Sequence, residues 1–235
     1  MKIGFSTGAI SKGDFHTALS ILRRHSIEAV ELSSLREAEL RPLMEAVPDL
    51  DVSGFTYVSI HAPSKRTAMS DRDVVRLLRP AADKHWPIII HPDAVEDFSA
   101  WRALGETVLV ENTDGRKAVG RYASELTNTF ALLPEARFCL DLGHARQIDP
   151  TMTEAHRMLV AFGDRLAQLH VSEVDSACKH RAIGGGASLA YRSLFRAERI
   201  EVPAILESPV SSADVAAEIR FAQVMLSGVD DEAAA

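Results

Sequence analysis

Short apolar runs recur along the chain, and six of them close on an ionisable residue. They read VSIHAPS, PIIIHPD, VLVENTDG, FCLDLGHA, LAQLHVSE and AILESPV, and the closing residues are His61, His91, Glu111, Asp141, His170 and Glu207. Runs this short, without polar alternation, predict strands buried on both faces. Eight strands are predicted, over residues 2–6, 28–32, 56–61, 87–91, 107–111, 137–141, 166–171 and 203–207. Amphipathic stretches separate them. Val74, Val75, Leu77, Leu78 and Ala81 fall at helical spacing over 71–83, and Ser70 with Asp73 reads as a capping box. Thr151 and Glu154 repeat that signature before a helix over 152–162, and Ser211 and Asp214 before the last helix. Val215, Ile219, Ala222 and Met225 form one stripe there. Residues 228–235, GVDDEAAA, predict a frayed tail.

Eight β-then-α units in one chain of 235 residues predict an α/β protein with a single (βα)8 TIM barrel over residues 1–227. A doubly wound open sheet is the competing architecture. The even phasing of the ionisable residues favours the barrel, because a closed barrel aims every strand end at one axis. No GxGxxG element follows the first strand. The longest connection, about 172–187, is where a lid or further ligands are expected.

Composition narrows the picture. Apolar residues make up 46% and charged residues 25%, as in ordinary globular proteins. No apolar run approaches the length of a membrane span, and MKIGFSTGAI reads as a strand rather than a signal peptide. A net charge of −7 argues against a broadly basic nucleic-acid-binding face. A local basic rim is compatible with it, from Lys65, Arg66, Arg116, Lys117, Arg146, Lys179 and Arg181, all shortly after strand ends. The two cysteines suggest no disulfide framework, so a reducing cytoplasm is expected. Cys139 reads as a small buried apolar residue inside a strand.

The chemistry sits at the strand ends. A carboxylate or imidazole is too costly to desolvate inside such a core unless it reaches the mouth and meets a partner. One shared site explains six such residues more simply than six separate structural reasons, and a cluster of divalent metal ions is the simplest shared site. DLGHA adds His144 on the same rim as Asp141. The loop after His170 adds Cys178 and His180, a thiol and an imidazole able to chelate one zinc. His16, His25, His85 and His156 fall in or beside predicted helices and read as surface or packing residues. Mixed imidazole and carboxylate ligands suit zinc, manganese or iron, and the imidazole count leans to zinc. Glu111, Asp141, His170 and Glu207 alone would suit one manganese or magnesium nearly as well. Glu31, in AVELSS, ends the second strand and reads either as part of the site or as a carboxylate behind it.

This set of motifs resembles the xylose-isomerase-like TIM barrels, and among them the endonuclease IV family (AP endonuclease family 2). The resemblance runs from His61 to Glu207: the strand-three His, HP at His91, ENT at Glu111, DLGH, the strand-seven His170, HRAIGGG at His180, and ILES at Glu207. It implies three zinc ions: His61, His91 and Glu111 on the first; Glu111 as a bridge, Asp141, His170 and Glu207 on the second; His144 and His180 on the third. The chain departs from that pattern where the family has an Asp and it has Cys178. Its loop HAPSKRTAMS also lacks the aromatic residues with which the family enters DNA, and the chain is shorter. The favoured expectation is a phosphoester hydrolase with two or three metal ions, in which Glu111, Glu207 and Arg181 act on the reacting atoms. Its substrate would be a phosphorylated or sugar small molecule, or, with less support, damaged DNA. The second expectation is a single-metal sugar (phosphate) isomerase or epimerase, with Glu111 and Glu207 moving a proton at carbon. The third is a non-catalytic binder on the same barrel.

Overall fold

Val, Ile, Leu and Phe dominate each apolar run, and the backbone satisfies its own polar groups by pairing each run with the next. In the computed structural model, which describes residues 1–227, the strands are β1 (Ile3–Ser6), β2 (Ala29–Ser33), β3 (Tyr57–His61), β4 (Ile88–Ile90), β5 (Val108–Glu111), β6 (Arg137–Asp141), β7 (Leu166–Val171), β8 (Glu173–Val174), β9 (His180–Arg181) and β10 (Ala204–Leu206). β1 to β7 and β10 close into a parallel barrel, β10 lying between β7 and β1. The architecture is therefore the (βα)8 TIM barrel rather than an open sheet. β8 and β9 form a separate antiparallel hairpin in the long connection after β7. The expected tail, 228–235, lies outside the described residues. Among the described residues no helix is long and apolar enough to cross a membrane.

Most of the apolar burial lies between the barrel and its helices. A second small cluster, Ile89, Leu109, Cys139 and Ala167, plugs the barrel interior from β4 to β7. The helix Asp71–Ala82 starts as expected: the Ser70 hydroxyl accepts from the Asp73 N–H at 3.2 Å, and the Asp73 carboxylate accepts from the Ser70 N–H at 3.4 Å. Val74, Leu78 and Ala81 are buried. All of the stripe Val215, Ile219, Ala222 and Met225 is buried in the helix Val215–Leu226.

The Thr151–Glu154 capping box does not form. Met152 takes a left-handed conformation (φ 61°), so the helix Thr153–Phe162 begins one residue later. The Asp149 carboxylate takes the Thr151 and Glu154 N–H groups, at 3.0 and 2.9 Å. Glu154 instead accepts from the Ala123 N–H at 2.6 Å, tying two neighbouring helices together.

Two local features set the barrel's geometry. The register between β6 and β7 shifts after Phe138, which pairs with Leu166, so that Cys139 faces Gln168 and Asp141 faces His170. Ala167 is the extra residue of this bulge, and without it Leu169 would stand opposite Asp141. The second feature is Gly4. A Cβ there would lie 1.8 Å from the Ala29 carbonyl oxygen on β2, which is backbone and cannot swing aside.

Gly4→Ala therefore forces β1 and β2 apart and is expected to cost about 3 kcal/mol, the upper part of the range for an overpacked interior. Gly54→Ala, with nothing within 4 Å of the new Cβ, is expected to stay within about 0.5 kcal/mol of the parent. Urea unfolding of both variants measures the contrast.

Candidate metal centre

Each ligand-type residue reaches the barrel mouth from the end of its strand, and the structure brings the strand-end set together. Glu111, 1% exposed, lies at the centre. Its Oε2 lies 3.1 Å from His61 Nε2 and 3.1 Å from His91 Nε2. Its Oε1 lies 3.0 Å from His170 Nδ1 and 3.5 Å from His144 Nδ1. Glu207 Oε2 stands 3.7 Å from His170 Nδ1 and 3.6 Å from His180 Nδ1.

Three groups are compact enough to hold an ion: His61 with Glu111 and His170; Glu111 with Asp141, His170 and Glu207; and Asp141 with His144 and His180. Asp141 keeps a buried carboxylate oxygen, Oδ2, without a hydrogen-bond donor. An undonated anionic oxygen among imidazoles, in a set of nitrogen and carboxylate donors, fits a divalent cation.

A second layer of hydrogen bonds fixes which nitrogen of His61, His170 and His144 faces the centre, whereas His91 Nδ1 has no such partner. His61 Nδ1 donates to the Ala62 carbonyl at 2.8 Å, leaving Nε2 inward. His170 Nε2 bonds Glu31 at 2.9 Å, leaving Nδ1 inward. Glu31 is fully buried and also takes bonds from Gln168 Nε2 (2.8 Å) and the Ser59 hydroxyl (3.3 Å). Of the two readings of Glu31, the carboxylate behind the site is the one its contacts match. The Tyr57 hydroxyl donates to Gln168 Oε1 at 2.7 Å and so holds the amide that holds Glu31. On the other side the Asn112 side chain brackets the Asp141 backbone, donating to its carbonyl at 2.9 Å and accepting its N–H at 2.7 Å. The Asn112 carbonyl accepts from His144 Nδ1 at 2.9 Å.

Gln168, Tyr57, Asn112 and Asp114 escape a reading based on strand ends. Gln168 carried a signal: it lies two residues before His170, hence on the same strand face. Asn112 and Asp114 follow Glu111 directly in ENTD and are both buried.

Other residues are placed differently from this ring of candidate ligands. Cys178 does not join the group of Asp141, His144 and His180. Its thiol bonds the Asp114 carboxylate, and burial together with Asp114 pushes its pKa up, towards the neutral thiol. Arg181 alternates with His180 along β9, so its guanidinium turns outward to Asp175 at 2.8 Å. Of the expected basic rim, Lys65, Arg116 and Lys117 line the cavity above the centre. Arg66 instead pairs with buried Asp71 at 3.0 Å, and Arg146 with Glu173 at 3.1 Å.

Without metal, protons balance the buried charge. His61 bonds oxygen at both nitrogens, the arrangement of an imidazolium. Burial opposes that charge, yet the bond and charge of Glu111 push its pKa up to about 9. Burial raises Glu207 to about 8, with Glu111 and Asp141 adding to the rise against His170. Burial and the Glu111 charge also raise Asp141, to about 6, although His144 opposes it. Glu111 itself stays ionised: burial works against it, and the surrounding imidazoles hold it well below the ordinary range. Burial and the charge of His144 push His180 down to about 3, leaving it neutral.

The sequence matches no protein-family model, and no curated protein matches it. Solved structures do match. An endonuclease IV from Thermus thermophilus superposes with a TM-score of 0.62 and 21% identity, over 97% of this chain and 100% of that one. An L-ribulose 3-epimerase does so with a TM-score of 0.61 and 14% identity, over 96% and 94%. A xylose isomerase domain containing protein from Salmonella typhimurium gives a TM-score of 0.64 and 14% identity, over 96% and 97%. At 21% identity or less, these likenesses establish the fold alone, a (βα)8 TIM barrel.

The raised groups give the pH dependence its sign. Protonated His61 stabilises the metal-free fold fully below about 6.5, and this is lost as pH rises through about 9. Protonated Glu207 does so fully below about 4.5, lost as pH rises through about 8. Chelator-treated protein is therefore expected to lose thermal stability between about pH 6.5 and 9. A divalent ion needs both groups deprotonated, so zinc affinity is expected to rise across the same interval. Melting curves and zinc titrations at several pH values check both, and a pH-independent zinc affinity contradicts the proton inventory.

Proposed function

We propose that this chain is a divalent-metal-dependent phosphoester hydrolase with at least a binuclear centre, zinc being the metal its donors suit best. One observation carries the reading: the two oxygens of the single buried Glu111 carboxylate face two different sets of partners, His61 and His91 on one side and His170 on the other. A carboxylate so placed is a bridge. His61 and His91 have no role as ligands in a one-metal isomerase, whereas a bridged pair uses both.

In this reading His61, His91 and Glu111 hold one ion, and Glu111, Asp141, His170 and Glu207 hold the other. His144 and His180, with the shared Asp141, offer a third position, to which Cys178 could contribute only by leaving Asp114. Bound ions would supply the positive charge that polarises a phosphoryl oxygen and lowers the pKa of an attacking water. Glu207 is the carboxylate in the set best placed to take a proton from that water, because it lines the cavity and its side chain is 13% exposed. The likeness of the fold to an endonuclease IV is compatible with phosphoester chemistry. The cavity, about 500 Å³, suits a small molecule.

A sugar isomerase or epimerase is the second reading. It is favoured by the compactness of Glu111, Asp141, His170 and Glu207, a complete one-metal set without His61 or His91.

Metal analysis of freshly purified protein separates the two: two or three zinc ions per chain for the hydrolase, one manganese or magnesium for the isomerase. His91→Ala is expected to remove one ion. It should lower turnover of bis(p-nitrophenyl) phosphate by more than ~100-fold, beyond the 10–100-fold typical of residues behind the ligands. Glu111→Gln, which spoils the bridge, is expected to bring turnover to background. Full metal content in His91→Ala overturns the binuclear assignment.

A further inference from the structure

The metal ligands occupy only part of the barrel mouth. They come from β3 to β7, β9 and β10, whereas β1 and β2 end in small hydroxyl residues, Ser6 and Ser33. The cavity extends over that side and is lined there by Gly8, Lys12, Ser33, Arg36, Ser64 and Lys65. Ionic partners sort its cations. Arg36 pairs with Glu39 at 3.0 Å, Arg116 with Asp114 at 2.6 Å, and Lys117 with Asp93 at 2.8 Å. Among the described residues, Lys12 and Lys65 line the cavity with no carboxylate within ion-pair distance.

Two further observations fall at the same place. Ser33 is 4% exposed, lines the cavity, and its hydroxyl has no hydrogen-bond partner. A buried hydroxyl without a partner is costly unless a ligand completes it. Gly8 keeps the space beside it open, because a Cβ there would lie 2.8 Å from Ser33 Oγ. Lys12 itself has φ 50° and ψ −124°, a conformation that glycine accepts and lysine resists. The glycine next in sequence, Gly13, would have served there at less strain. The chain keeps a cationic side chain at the cavity wall in spite of that strain.

We propose that Lys12, Lys65 and Ser33 form an anion subsite that holds a second charged group of the substrate, a phosphate or a carboxylate, away from the reacting end at the metal centre. The inference rests on the reading of the metal centre as the reacting end. It narrows the substrate to a small molecule anionic at both ends. Two ammonium groups and one hydroxyl donor match the oxygens of a tetrahedral or planar oxyanion, and neither lysine has to leave a carboxylate to bind. The subsite reads the far group, and the metal ligands need not change to accept it.

The test uses the zinc-loaded full chain, titrated by calorimetry with inorganic phosphate and, separately, with malonate. Beyond any anion held at the zinc ions, which the double variant retains, the parent is expected to bind one further equivalent that Lys12→Ala/Lys65→Ala binds at least tenfold more weakly, with zinc content unchanged. Lys65→Arg keeps the charge and is expected to stay within about threefold of the parent. Ser33→Ala is expected to weaken binding without lowering metal content. A larger loss for phosphate than for malonate identifies a phosphorylated substrate; the reverse identifies a carboxylate.

Lys12→Gly adds a readout with opposite signs: relief of the backbone strain raises Tm while anion binding weakens. An unchanged affinity in the double variant overturns the subsite, as does a parent that binds neither anion. Lys12→Gly with lowered Tm and unchanged binding also overturns it. These outcomes are independent of the metal count and of the His91→Ala result, so failure of the subsite and failure of the metal assignment are told apart.

Discussion

The barrel mouth is organised around one buried anion. Glu111 is almost without solvent, ionised, and in contact with His61, His91 and His170 at once. Glu31 and Asp141 are also fully buried nearby. Desolvating carboxylates in such number is tolerable only if positive charge is supplied among them. In the metal-free chain protons supply it, which is why His61 and Glu207 titrate so far from their ordinary values. Divalent cations would supply it more compactly, neutralising several acids from one point. Removing a single imidazole should therefore disturb the whole cluster, since both oxygens of Glu111 are shared.

The scaffold is arranged to hold those shared contacts. The bulge at Ala167 places His170 opposite Asp141, and the absent side chain of Gly4 lets β1 approach β2 and complete the closure. Behind the ligands, Tyr57 steadies Gln168, Gln168 steadies Glu31, and Glu31 fixes the ring of His170. Asn112 does for Asp141 and His144 what that chain does for His170. Rigid support of this kind matters because a metal ligand displaced by about 1 Å loses most of its value.

The strand positions and the ring of ionisable side chains at the mouth were legible in the sequence for a physical reason. Strands buried on both faces leave uninterrupted apolar runs, and an ionisable residue ending such a run stands out against them. His61, His91, Glu111, Asp141, His170 and Glu207 all announced themselves that way, and they do converge. The supporting layer was only partly legible: Gln168 shares a strand face with His170, but neither it nor Tyr57 gives any sign in the sequence of its partner on another strand. The failed capping box at Thr151 has a similar origin: local spacing was right, but the nearby Asp149 carboxylate captured the amides first. Loop residues were the least readable. Arg66 and Arg181 follow strand ends as Lys65 and His180 do, and only the folded chain shows that acids at Asp71 and Asp175 claim them.

That last contrast bears on how the cavity acquires selectivity. A cation satisfied by a neighbouring carboxylate contributes little to a ligand, because binding must first break the existing pair. Arg36, Arg116 and Lys117 are satisfied in this sense, while Lys12 and Lys65 are not. The free charges lie on the β1–β3 side of the mouth, beside the end of β10 that carries Glu207. A substrate drawn by both the metal centre and these lysines must offer an anionic group to each. The distance between the two poles, rather than the metal ligands alone, then sets which molecules fit. A barrel can change its substrate by moving a lysine on a loop while leaving every strand end untouched, which is how one ring of ligands can serve different reactions.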